Sequence, residues 1–119
     1  MIRDTLESYG IDYDITMRRF MNNEQTYLRF LGMFFEDDSL SKLGEAMESG
    51  DQKAAFEAAH TLKGVTGNMG LTPLYDAVCL LVEPLRKGTE ASQLGEVYEN
   101  VLKEHRRAKG MYQTLLKGE

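Results

Sequence analysis

The chain is poor in the residues that interrupt helices or cross-link chains. Proline occurs only twice in 119 residues, cysteine once and tryptophan not at all. Two prolines and no strand-like alternation leave little to break helices, so an all-helical fold is expected. A lone Cys79 excludes an internal disulfide and fits a reducing cytoplasm; with nothing basic beside it in sequence, it reads as a small, partly buried helix residue. Basic excess is missing too. The formal net charge is −5, which argues against nucleic acid as a partner and gives no attraction to anionic membranes. No apolar run approaches the length of a membrane span, and no charged-then-apolar leader opens the chain. Hydrophobic residues at 42% and charged residues at 28% are ordinary for one folded domain, here residues 1–119.

What is present is periodicity. A short helix or frayed end over Met1 to Tyr9 stops at Gly10, and Asp14 or Thr16 caps a second short helix. Asn22-Asn23 makes a turn and a cap. Tyr27, Leu28, Leu31, Phe34 and Phe35 follow at helical spacing within Glu24–Phe35. Leu40, Leu43, Ala46 and Met47 make the face of a short helix ending at Ser49-Gly50. Asp51 caps a long run to Met69, which Gly70 ends in a left-handed conformation. Thr72-Pro73 reads as a cap with proline at the first helical position. Leu74, Ala77, Val78, Leu81, Val82 and Leu85 then form an apolar stripe interrupted by Pro84, before which a bend or break is expected. Leu94, Val97, Val101, His105, Ala108, Tyr112 and Leu115 line the last helix, Ala91–Leu116. The expected architecture is an antiparallel up-and-down four-helix bundle with short N-terminal helices and a core over about residues 10–116.

The long central helix carries the chemistry. At roughly 100° per residue, Ala55, Ala58, Leu62, Val65 and Met69 share its core stripe, and His60 projects nearly opposite. Lys63 and Gly64 lie one turn on, on the side of His60, and Gly67 a turn further. Each glycine in a helix interior costs roughly 1 kcal/mol relative to alanine, so bare backbone beside an exposed imidazole suggests that another body must approach. Phe56, one turn before His60, either adds an apolar contact for that body or packs at the edge of the core. His105 sits inside an apolar stripe instead and reads as a core or boundary histidine with a hydrogen-bond partner.

Several chemistries fail on spacing. Glu57-Ala58-Ala59-His60 matches one Glu-x-x-His element of di-iron bundles, but His105 has Leu102 three residues before it, so no second element exists and no metal site is expected. No triad can be assembled. The glycines at 64, 67 and 70 follow a helix and lack a phosphate-loop lysine. Nucleophilic imidazole remains: a phosphoryl group on it adds nearly two negative charges, which Lys63 is placed to offset.

Ala59-His60-Thr61-Leu62-Lys63-Gly64, followed by Asn68-Met69-Gly70-Leu71, resembles the histidine-containing phosphotransfer (HPt) domain. Leu81-Val82-Glu83, Leu85-Arg86-Lys87-Gly88, Phe30-Leu31 and Phe34 extend the resemblance from about Gly10 to Leu116. It implies that His60 is the phosphoryl carrier, Lys63 its charge partner and Gly64 the clearance residue, with Phe56, Gly67 and Arg86 toward the partner. Pro84 departs from the family's regular helix and bears on where Arg86 lies; Gly67 is also unusual. The implied function is a phosphorelay intermediate in two-component signal transduction. It accepts a phosphoryl group from the aspartate of a response-regulator receiver domain and passes it to another, and a sensor histidine kinase, simple or hybrid, stands among its partners. No cofactor is expected on this chain, the divalent metal residing on the receiver, and the protein is a carrier rather than an enzyme. The alternative is a non-phosphorylated helical adaptor that binds a receiver or kinase.

Overall fold

The computed structural model describes residues 2–118, and every regular element in them is helical. In chain order these are α1 (Ile2–Tyr9), α2 (Tyr13–Arg19), α3 (Glu24–Glu36), α4 (Ser39–Ser49), α5 (Gln52–Asn68), α6 (Thr72–Arg86), a single 3-10 turn (Ala91–Gln93) and α7 (Gly95–Leu116). Helix α5 packs between α4 and α6, α6 packs on α7, and α1 lies along α7. The expected opening element extends to Met1, which lies outside the described residues; the rest of it is not a frayed end. Leu6 and Tyr9 are buried, and Arg107 of α7 donates to the Tyr9 carbonyl at 2.9 Å with its guanidinium 4.7 Å above the Tyr9 ring.

Caps set most boundaries. Asn23 accepts from the Thr26 N–H at 3.0 Å and Asp51 from the Ala54 N–H at 3.1 Å, satisfying donors that a first turn leaves open. Helix α2 is capped by Asp12, whose carboxylate accepts from the Ile15 N–H at 3.1 Å, and not by Asp14 or Thr16. Thr16 is buried instead. At the start of α6 the cap position falls to Leu71, so Thr72 and Pro73 open the helix itself.

Three further expectations change. The buried stripe of α5 is Ala55, Ala59, Leu62 and Thr66, continued by Met69. Ala58 and Val65 are only half-buried. A helix held between two neighbours buries the side that faces both, and Thr66 tolerates that position because its hydroxyl donates to the Leu62 carbonyl at 2.8 Å. Pro84 does not break α6, which runs on to Arg86. Its missing N–H frees only the carbonyl of Leu80, a residue 63% exposed and so open to water, and the helix ends two residues later. Finally, the 3-10 turn precedes α7, so the last helix starts at Gly95, and Met111 joins its buried side while Val97 and Tyr112 stay at the boundary.

Both ends of α5 are pinned. Gly70, at φ +74°, lets the Leu71 N–H return to the Thr66 carbonyl at 3.0 Å and its own N–H to Gly67 at 3.1 Å. Arg19 of α2 donates to the Gly67 and Asn68 carbonyls at 2.9 and 3.2 Å, and the buried Tyr27 hydroxyl of α3 donates to Met69 at 2.9 Å. At the other end Gln52 donates to the Leu85 and Thr89 carbonyls at 3.3 and 2.6 Å, tying the start of α5 to the end of α6.

Candidate functional site

His60 lies in the middle of α5 with its side chain exposed, one residue after the fully buried Ala59 and two before Leu62. The sequence places it there because apolar residues at 55, 59 and 62 turn the opposite side of the helix inward. Lys63, half-buried, follows one turn on. Among the described residues no carboxylate lies within ion-pair distance of its ammonium, whereas Arg86, Lys42 and Arg107 each have one. A methyl group added at Gly64 would meet nothing within 4 Å. No packing demand keeps that position bare.

Gly67 differs. A methyl there would stand 3.0 Å from the Tyr75 ring, and its carbonyl already accepts from Arg19. The packing of α6 on α5 accounts for this glycine. Phe56 is half-buried, its ring centroid 5.6 Å from that of His60. Arg86 reaches the same ring from the end of α6, with its Cζ 5.4 Å from the centroid. The uninterrupted course of α6 through Pro84 is what brings Arg86 here.

Beside His60 runs an open groove of about 740 Å³ between α5 and α3, lined by Phe30, Met33, Thr61, Gly64, Val65 and Asn68, among others. Phe30 and Met33 are 40% and 56% exposed. Asn68 belongs to the motif that carries the resemblance, whereas Met33 lies outside the quoted motifs. The available signal was Met33 itself, an apolar residue on α3 outside the stripe of Tyr27, Leu31 and Phe34. At the groove's end the Asp37 carboxylate accepts from the Ser39 hydroxyl and, at 3.0 Å, from its N–H. Those bonds, the hydroxyl's foremost, hold the carboxyl below its usual range.

His105 stands apart from all of this. It is half-buried on α7, with ring centroids 5.8 Å from Phe34 and 5.4 Å from Phe35. Among the described residues its partners are aromatic rings rather than the expected hydrogen bond. Burial, and secondarily the Lys109 charge, lower its pKa from the ordinary 6.5. Cys79 is half-buried on α6, as its sequence setting suggested. Among the described residues no three His, Cys, Asp or Glu side chains gather to hold a metal ion, and no helix is long and apolar enough to cross a membrane.

The all-helical scaffold holds one imidazole in solvent, with open backbone beside it and a cation that no carboxylate pairs among the described residues. The Hpt domain family model matches residues 29–108. The fold is similar to the crystal structure of the HPT domain from an Hpt sensor hybrid histidine kinase of Shewanella, with a TM-score of 0.79 over 93% of this chain and 97% of that one, at 16% identity. No curated protein matches the sequence. The chain belongs to the Hpt domain family. That membership places it in histidine phosphotransfer phosphorelay, where such domains are in general carriers of the phosphoryl group rather than catalysts.

Proposed function

We propose that this chain is a single-domain phosphorelay intermediate, an antiparallel up-and-down four-helix bundle with short N-terminal helices, and that His60 carries the phosphoryl group. The imidazole's lone pair attacks the phosphorus of a receiver's aspartyl phosphate. The P–O bond breaks, the aspartate carboxylate leaves with its electrons, and a P–N bond forms; the reverse step loads the next receiver. Lys63 offsets the charge that arrives. Gly64 clears the approach, and the groove of Phe30 and Met33 takes an apolar side of the docking surface. Phe56 and Arg86 border the same site. Phosphoryl transfer depends on positioning and charge neutralisation, and the divalent metal that supplies part of it belongs to the receiver. A sensor histidine kinase feeds the relay, in the cytoplasm.

The observation that carries this reading is the coincidence of an exposed His60, an unpaired Lys63 and a Gly64 that nothing in the fold requires. The test is to incubate the protein with a phosphorylated receiver and look for acid-labile, base-stable phosphate on His60. Lys63→Ala is expected to slow labelling without abolishing it. Binding without label would leave an adaptor and end the carrier reading.

A further inference from the structure

The second cation of the site, Arg86, is held in place by an aromatic ring, and this inference rests on the carrier reading of His60. The Phe56 ring is shared. On it lie the His60 imidazole, 5.6 Å away between centroids and tilted by 35°, and the Arg86 guanidinium, 5.4 Å from the centroid. Among the described residues the guanidinium's remaining hold is a 3.4 Å ion pair with Glu83, in which both side chains are about half exposed. Such solvated pairs are weak, so the carboxylate is readily exchanged for a better anion. Phe56 precedes His60 by one turn and Lys63 follows it by one turn, so the two cations flank the imidazole along the helix axis.

We propose that Phe56 is a positioning residue: its ring fixes the orientation of the exposed imidazole and parks Arg86 one ring away, from where the guanidinium leaves Glu83 for the phosphoryl group on His60. An exposed imidazole with no neighbour samples several rotamers, and an aromatic contact narrows them. A guanidinium within about 6 Å of a ring centroid is attracted by the ring's electrons without being neutralised. It therefore keeps its charge for an anion bearing nearly two negative charges. Phe56 thus serves neither as mere core edge nor mainly as a partner contact.

Phosphoramidate tests this without a receiver. The ring nitrogen's lone pair forms the new P–N bond as the old one breaks. Ammonia leaves with that bond's electron pair, and the proton on the other ring nitrogen is released to solvent. The full chain, Phe56→Ala, Phe56→Leu, Phe56→Tyr, Arg86→Ala and the double variant Phe56→Ala/Arg86→Ala are compared by the rate of phosphoryl gain on His60 in intact-mass and fragment spectra. Phe56→Ala, Phe56→Leu and Arg86→Ala are each expected to slow labelling by about three- to tenfold, the scale of aromatic and cation–π contacts. Phe56→Tyr restores the wild-type rate, and the double variant is no slower than the slower single one, because both changes remove one coupled unit. Melting curves of the leucine and tyrosine variants should coincide, which separates positioning from folding. Wild-type labelling by Phe56→Leu, or effects that multiply in the double variant, would overturn the proposal and leave the carrier reading standing. A wild-type protein whose His60 takes label neither from phosphoramidate nor from a phosphorylated receiver would overturn both.

Discussion

The chain's two histidines occupy opposite settings. His60 projects from the middle of α5 into solvent, beside the Lys63 ammonium and a glycine with empty space over it. His105 lies half-buried on α7 between Phe34 and Phe35, with its charged form disfavoured by burial. The same side chain stands in solvent in one place, where we propose it as the reactive group, and packs among aromatic rings in the other. What separates them is the surface each helix leaves uncovered. Helix α5 packs between α4 and α6 and leaves His60 exposed, whereas α7 presents His105 to Phe34 and Phe35 at the end of α3.

The largest expected contrast is in phosphoryl uptake. His60→Gln should lose it completely in a phosphorylated-receiver assay, with a melting temperature close to wild type, since exposed positions seldom matter by more than about 0.5 kcal/mol. His105→Ala should keep uptake and lose stability, by about 1–2 kcal/mol in a denaturant titration, as its two aromatic contacts go. Reversal of that pattern would make the core histidine the functional one.

A smaller effect separates the two glycines of α5. Gly64→Ala should stabilise the protein, by up to about 1 kcal/mol, because a methyl there meets open space and alanine favours helix. It should also slow transfer from a receiver. Gly67→Ala should gain less or lose stability, because the Tyr75 ring at 3.0 Å must give way. Equal shifts in melting temperature for the two variants would remove the distinction between clearance for a partner and clearance for a neighbouring ring.

The smallest effect is a pH slope. The folded pKa of His105 lies below 6.5, its unfolded value, so the unfolded chain takes up the proton first as pH falls. Its contribution to stability is whole above pH 6.5 and is lost as pH drops through the lower folded value. Unfolding free energies measured across that window for wild type and His105→Phe should diverge toward acid, with the variant losing less. Parallel curves would mean that His105 is better solvated than its ring contacts indicate.

Much of the site was legible because it is local. His60, Lys63 and Gly64 fall on one helix, and helical spacing alone puts them on one side. Caps at Asn23 and Asp51 were legible for the same reason. The miss at Asp12 was a competition among nearby acceptors, which only the bond to the Ile15 N–H decides. Pro84 misled because its cost depends on how many turns follow and on whether water reaches the freed carbonyl. Gly67 looked like Gly64 in sequence, and only the position of Tyr75 tells them apart.

By itself, the sequence determined the helical elements, the outward placement of His60 and the kind of chemistry an imidazole with a neighbouring cation can support. Those follow from periodicity and side-chain type within one turn or two of a helix. The tertiary structure alone decided how residues from elsewhere meet the site: Phe30 and Met33 line the groove from α3, Arg86 arrives from the end of α6, and the Phe56 ring touches both Arg86 and His60. Such meetings depend on how helices are packed and where each one ends, and those are properties of the assembled core that no single segment encodes.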